Sequence, residues 1–227
     1  MRAVVVDRWM EPAELAVREV PEPKVGPGQL GVEVRAAGCN FFDILLVHAA
    51  AGGVGLAAVQ IGKALGAQVI ATAGGHDKLR VAREAGAETL IDYREEDFVE
   101  RVKESTRGRG ADVIYDSVGG DVFDRSLKCI AWNGRLLVVG FASGEIPSVA
   151  ANRILLKNIA VVGLHWGAYA RNEPARVPEA FAALFSLYAE KKIRPVIFER
   201  YPLERAPEAL AALGGRKSYG KVVLTPG

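Results

Sequence analysis

From Ile44 onward the apolar positions of the chain follow a two-part rhythm. Short, continuously apolar runs (ILLV, QVIATA, TLID, DVIYDS, RLLVVGF and IAVVGL) alternate with turns and with stretches whose apolar residues recur at helical spacing. The stretch after the first run sets Val54, Ala57, Ala58, Ile61 and Leu65 on one face and closes at Gly66; further helical segments are expected over 78–85 and 97–104. Strands that are apolar along their whole length are covered on both faces. Their alternation with helices predicts an α/β fold on a doubly wound parallel sheet. Before Ile44 the rhythm differs: strand signals over 3–6, 15–20 and 31–36 surround the turn cluster PEPKVGPGQ and carry no helical period, which predicts antiparallel β structure. After a helix expected near Pro178 to Lys191 the chain continues with PVIFERYPL, a short helix APEALAALG and a last strand KVVLT. The expected divisions are therefore 1–43, 44–192 and 193–227.

Composition narrows the partners more than the fold. The chain has 227 residues, 50% of them hydrophobic and 25% charged, which is room for one large domain or one and a half. A net charge of +2 gives no electrostatic reason to expect nucleic acid or an anionic membrane. No apolar run reaches the length of a membrane span and no N-terminal stretch has a signal-peptide layout, so a cytoplasmic location is expected. Cys39 and Cys129 cannot make a disulfide framework. With His48, His76 and His165 they are scattered over different elements, whereas zinc needs three or four converging ligands; no metal site is expected.

The candidate chemistry lies in the turn after the first apolar strand. In AAGGVG, Ala50 takes the first glycine place of a dinucleotide fingerprint, and Gly52 and Gly55 take the second and third. Gly52 allows the backbone to approach a pyrophosphate, Gly55 allows the helix to pack on the strand, and the turn through Gly53 and Val54 offers free N–H donors to phosphates. An NAD site places a carboxylate at the end of the second strand to accept from the ribose hydroxyls. This chain has Ala73, Gly74 and Gly75 there, with Lys78 and Arg80 just downstream, a pattern that favours a 2′-phosphate; Asp77 is the one acid able to oppose it.

Four stretches, GCNFFDILLV, HAAAGGVGLAAVQIGKALGAQVIATAG, GADVIYDSVGGDVFDRSLKCIAWNGRLLVVGFASGEIP and YGKVVLTP, resemble the zinc-free quinone oxidoreductases. These are the zeta-crystallin-like branch of the medium-chain dehydrogenase/reductase superfamily, and the resemblance covers nearly the whole chain. It implies a Rossmann-type cofactor domain over 44–192, with a truncated GroES-like antiparallel β part built from both chain ends, 1–43 and 193–227. It also implies that Lys78, Tyr93 and Arg216 hold the 2′-phosphate of NADPH, with Gly75 where a serine is often found. Val118, Gly119 and Phe141 would flank the ribose and nicotinamide, and Asn40 would face the substrate. The implied activity is metal-free reduction of a small quinone or α,β-unsaturated carbonyl by NADPH in a homodimer paired through the Asn158–Trp166 strand. Family members are longer, and the missing part falls in one place, after Val47. The alternative is a chain that binds NADPH with little or no turnover, in a binding or structural role.

Overall fold

The inner apolar runs become strands covered on both faces, whereas the last, Ala160–Gly163, is largely exposed. A computed structural model of the chain describes residues 2–4, 17–22, 24, 26 and 43–226, and the chain divides into two units, Met1–Asn40 and Phe41–Gly227. In the first unit, β1 (Arg2–Val4) and β2 (Val17–Glu19) pair antiparallel, with Ala3 opposite Arg18. The strand expected over 31–36, Cys39 and Asn40 lie outside the described residues.

The second unit carries a parallel sheet of β3 (Ile44–Val47), β4 (Gln68–Ala73), β5 (Thr89–Asp92), β6 (Ala111–Asp116), β7 (Ile130–Val138) and β8 (Ala160–Gly163). The six strands stand in the order β5-β4-β3-β6-β7-β8. Alternation along β3 divides the core. Ile44 and Leu46 join Ile70, Ile91, Ile114, Leu136 and Phe123 on one face, while Val47 joins Val59, Val69, Ala71 and Ala82 on the other. A fully buried Leu or Ile contributes about 1.5–3 kcal/mol relative to exposure, so these two layers dominate the unit's stability.

Helices α1 (Gly55–Ala64), α2 (His76–Glu84), α3 (Phe98–Ser105), α4 (Gly120–Cys129) and α5 (Ala151–Lys157) connect the strands. Asp97 caps α3, accepting from Val99 N at 2.8 Å and Glu100 N at 3.4 Å. The strand order reverses between β3 and β6, so a crevice lies at their carboxyl ends, the usual ligand position in such a sheet.

Beyond β8 come α6 (Trp166–Asn172), α7 (Arg176–Ala189), β9 (Ile197–Pro202), α8 (Ala206–Gly214) and β10 (Lys221–Thr225). Two details differ from expectation. The antiparallel character foreseen for both chain ends holds for β1 and β2, whereas β9 and β10 pair parallel, because α8 crosses between them and returns the chain in the same direction. The strand foreseen over Asn158–Trp166 is paired only over Ala160–Gly163; Asn158 is left-handed, with φ 50°, and ends α5, and Trp166 opens α6. Among the described residues no helix is long and apolar enough to cross a membrane.

One polar side chain is built into the core. His48, only 2% exposed, joins three elements: its Nε2 lies 2.8 Å from Ser126 Oγ on α4 and its Nδ1 3.0 Å from Thr72 Oγ1 on β4. Ser126 Oγ donates to Val122 O at 2.6 Å, so it accepts from Nε2–H, and Thr72 then donates to Nδ1. Phe98 meets the imidazole edge-on at 4.9 Å, with the Arg125 guanidinium 4.5 Å from the centre of the Phe98 ring. Burial, with Arg125 second, lowers the His48 pKa to about 3. The unfolded chain therefore binds a proton that the folded chain refuses. The resulting stability is complete above pH 6.5 and is lost as pH falls toward 3. From pH 7 to pH 5 this one group should cost on the order of 2 kcal/mol, read as a fall in urea midpoint; His48→Gln, less stable at pH 7, should show a flatter pH slope. An unchanged slope in the variant would show that His48 is protonated in the folded state.

Candidate cofactor site

The turn between β3 and α1 is shaped by close backbone contacts. A methyl group built on Gly55 would lie 2.3 Å from Ala49 O and 2.8 Å from Ala50 Cα, so only glycine lets the helix leave the strand at this angle. At Gly52 the same methyl meets only Ala49 O, at 3.3 Å, and φ is not in the left-handed region. The fold therefore needs glycine at 55 far more than at 52. A bare backbone at 52 serves whatever approaches the turn from outside. Val54, about half exposed, caps α1 without a side-chain hydrogen bond.

The carboxyl-terminal segment docks on this turn. Gly220 N donates to Ala51 O at 2.8 Å, Gly220 bridges Gly52 in parallel, and a methyl on Gly53 would lie 2.9 Å from Lys221 Nζ. A cation thus stands beside the turn. Gly220 itself has φ 54°, and a side chain there would come within 2.3 Å of Val196 O.

At the carboxyl ends of β4 and β5 the positive charge gathers. Lys78 Nζ donates to Arg216 O at 2.7 Å, and the Arg216 guanidinium reaches Ala142 O at 3.3 Å. A methyl on Gly74 would lie 2.7 Å from Tyr93 Oη and 2.7 Å from Arg94 Nε, so both side chains lie against the bare Gly74 backbone. Burial lowers the Lys78 pKa, and the charges of Arg94 and Arg216 lower it further. Gly75, at φ 93° and ψ 149°, caps α2 and donates to Asp92 Oδ2 at 2.9 Å, while Asp92 Oδ1 accepts from Arg94 N at 3.0 Å. That carboxylate holds the Gly75–Arg94 corner by its backbone. Asp77 turns away: its side chain is 87% exposed and lies 3.9 Å from Arg80, which also pairs with Glu84 at 3.3 Å. Arg80 is therefore committed to its own helix.

Across the crevice, the loop after β6 meets the loop after β7. Asp116 is buried; its Oδ1 accepts from Val118 N at 2.8 Å and Gly119 N at 3.1 Å, and its Oδ2 has no partner among the described residues. Burial raises its pKa against the pull of those two N–H donors. Gly119, at φ 73° and ψ −161°, has Phe141 Cδ1 2.9 Å from where a side chain would begin, and Ser143 N and Oγ both donate to Val118 O.

The model of the zinc-binding dehydrogenase family matches residues 53–186. The chain belongs to this family, in its quinone oxidoreductase branch. It is 40% identical over 219 residues to the quinone oxidoreductase-like protein 2 homolog of Nematostella vectensis, covering 95% of this chain and 60% of that protein. It is 42% identical over 186 residues to quinone oxidoreductase 1 of Escherichia coli (strain K12), covering 80% and 56%. The structure of Escherichia coli quinone oxidoreductase complexed with NADPH superimposes with a TM-score of 0.73 at 41% identity, over 81% of this chain and 57% of that one. The chain thus spans about 60% of the length of such relatives.

Of the residues this family resemblance points to, the structure brings together Gly74, Lys78, Tyr93 and Arg216 at one end and Val118, Gly119 and Phe141 at the other, with the glycine turn at 50–55 between β3 and α1. Asn40 lies outside the described residues. His48 has both ring nitrogens occupied, and burial pushes the Cys129 thiol up to about 12, so neither is free to bind metal or act as a nucleophile. His165 is exposed at the start of α6, and Tyr169 stacks near Trp166 at 5.5 Å. Arg94, Asp92, Asp116 and Lys221 were missed in the sequence. Only Arg94 carried a signal there, as the neighbour of Tyr93.

The two glycines of the turn should respond differently to a methyl group. Gly55→Ala should lower stability by more than about 2 kcal/mol, because the methyl meets backbone on a rigid strand. Gly52→Ala should leave the denaturant midpoint within about 1 kcal/mol of the parent while weakening nucleotide binding at least about tenfold. Binding retained in Gly52→Ala would remove the turn from the site.

Proposed function

We propose that this chain binds NADPH, with the pyrophosphate on the 50–55 turn and the 2′-phosphate between Lys78, Tyr93 and Arg216. The observation carrying this reading is the gathering of cations beside Gly74 and Gly75, where Asp92 is spent on the backbone N–H groups of Gly75 and Arg94 and Asp77 points to solvent. A 2′-phosphate dianion is repelled by the acid that selects NAD and is attracted here. The residues fit the group in a second respect: Gly52 leaves the backbone of the turn open, with only Ala49 O near where a side chain would begin. Arg216 is held at φ 53°, where glycine rests more easily, and this is strain that a functional guanidinium explains.

When bound, NADPH supplies the hydride for reduction of a quinone or α,β-unsaturated carbonyl. The chain's own part is positional. The Gly119–Phe141 contact would form one wall beside the nicotinamide, and Asp116 fixes that wall by accepting from Val118 and Gly119. Asn40 is proposed to face the substrate, and no metal ligand takes part. The molecule is proposed to pair through β8, whose outer edge has no strand partner among the described residues and where Val162 is 40% exposed. A monomer in micromolar sedimentation runs would contradict that pairing.

A second reading, NADPH binding with little turnover, is favoured by the span of 60% against the relatives. Hydride transfer needs a held geometry and exclusion of water, which an open cleft supplies poorly. Single-turnover oxidation of bound NADPH by a small quinone separates the two: slow transfer beside tight binding is expected, and a rate matching full-length relatives would contradict the second reading. The cofactor assignment is tested by Lys78→Ala, which should weaken NADPH about 10- to 100-fold and NADH by less than about threefold. Equal losses would remove Lys78 from the 2′-phosphate.

A further inference from the structure

Three cations approach the Gly74–Gly75 corner, and one of them has no structural duty. Lys78 is tied to Arg216 O, and Arg216 to Ala142 O. The guanidinium of Arg94 makes neither an ion pair nor a hydrogen bond with any described residue. Only its backbone N–H is committed, to Asp92 Oδ1 at 3.0 Å, which fixes where the side chain begins. From there it folds over the corner: methyl groups on Gly74 and Gly75 would lie 2.7 Å from its Nε and 3.4 Å from its Nη1. It is close enough to Lys78 to depress that amine's pKa. An exposed arginine free of partners would move away from a neighbouring ammonium; lying against bare glycine beside it raises the energy of both charges.

We infer that Arg94 is a binding residue for the 2′-phosphate of the cofactor, a planar donor set completing the site that Lys78 and Arg216 begin. The inference rests on the NADPH reading above and extends it. Lysine acts on a phosphate as a point charge, whereas a guanidinium donates two parallel N–H groups to two phosphate oxygens. Gly74 and Gly75 have the complementary role, since any side chain at 74 would displace both Tyr93 and Arg94. Asp92 is engaged with the backbone of Gly75 and Arg94, so a bound phosphate would be the group that pairs with the three side chains.

The test is direct titration of the intact chain and of Arg94→Met and Arg94→Lys with NADPH, NADH, adenosine 2′,5′-bisphosphate and 5′-AMP, at low and high salt. Methionine keeps most of the apolar stem and removes the charge. Because Arg94 is exposed and unpaired, the melting temperature should stay within about 2 °C of the parent. Arg94→Met should weaken NADPH and the 2′,5′-bisphosphate about 10- to 100-fold, change NADH and 5′-AMP by less than about threefold, and reduce the salt dependence of NADPH binding. Arg94→Lys should recover only part of the loss, since charge returns without the fork. Equal weakening of NADPH and NADH, as stacking of the guanidinium on adenine would give, overturns the inference. So does unchanged NADPH affinity in Arg94→Met. If the unaltered chain binds no NADPH, the cofactor reading itself falls, and that result is distinct from either of these.

Discussion

Like charges held close raise one another's energy, and this chain holds Lys78, Arg94 and Arg216 together at the carboxyl ends of β4 and β5. The rest of the site follows from that constraint. Burial and its two cationic neighbours already weaken the Lys78 amine's hold on its proton. Folding around such a cluster costs stability, so something else must hold it in place. Two packed core layers on either side of β3 do so, by fixing the strand ends from which the cluster is hung.

The carboxyl-terminal segment is the second support. Gly220 pairs with the glycine turn, and α8 ends so that Arg216 emerges in a left-handed conformation over the crevice, reaching from Lys78 to Ala142. One segment thereby touches the glycine turn, Lys78 beside the Gly74–Gly75 corner and the loop that carries Phe141. Buried polar groups keep this frame from shifting. Asp92 binds the backbone of Gly75 and Arg94, Asp116 binds that of Val118 and Gly119, and His48 ties β3 to β4 and α4.

Much of this was legible before any coordinates, for reasons that are local. The β3–turn–α1 unit declares itself through continuous apolarity, a glycine spacing and a helical face, all within residues 44–66. The missing acid at Gly74 and Gly75 could be read for the same reason. What could not be read depends on pairings distant in sequence. Nothing at 220 announces that it docks on residue 52, and nothing in KVVLT says that it runs parallel to β9, since a connecting helix and a hairpin leave the same apolar run. Arg94 was passed over because its side chain gains meaning only against Gly74, twenty residues away. The strand at 158–166 reads too long from sequence because IAVVGLHW is mostly apolar, and apolarity alone does not mark where pairing stops.

On the proposed reading, a cationic corner beside a glycine turn selects a phosphorylated dinucleotide. Calorimetric titration of the unaltered chain with NADPH and with NADH, at two salt concentrations, tests it most directly. NADPH should bind at least about tenfold more tightly than NADH, with the gap narrowing as salt rises. Equal affinities for the two, at both salt concentrations, would contradict it.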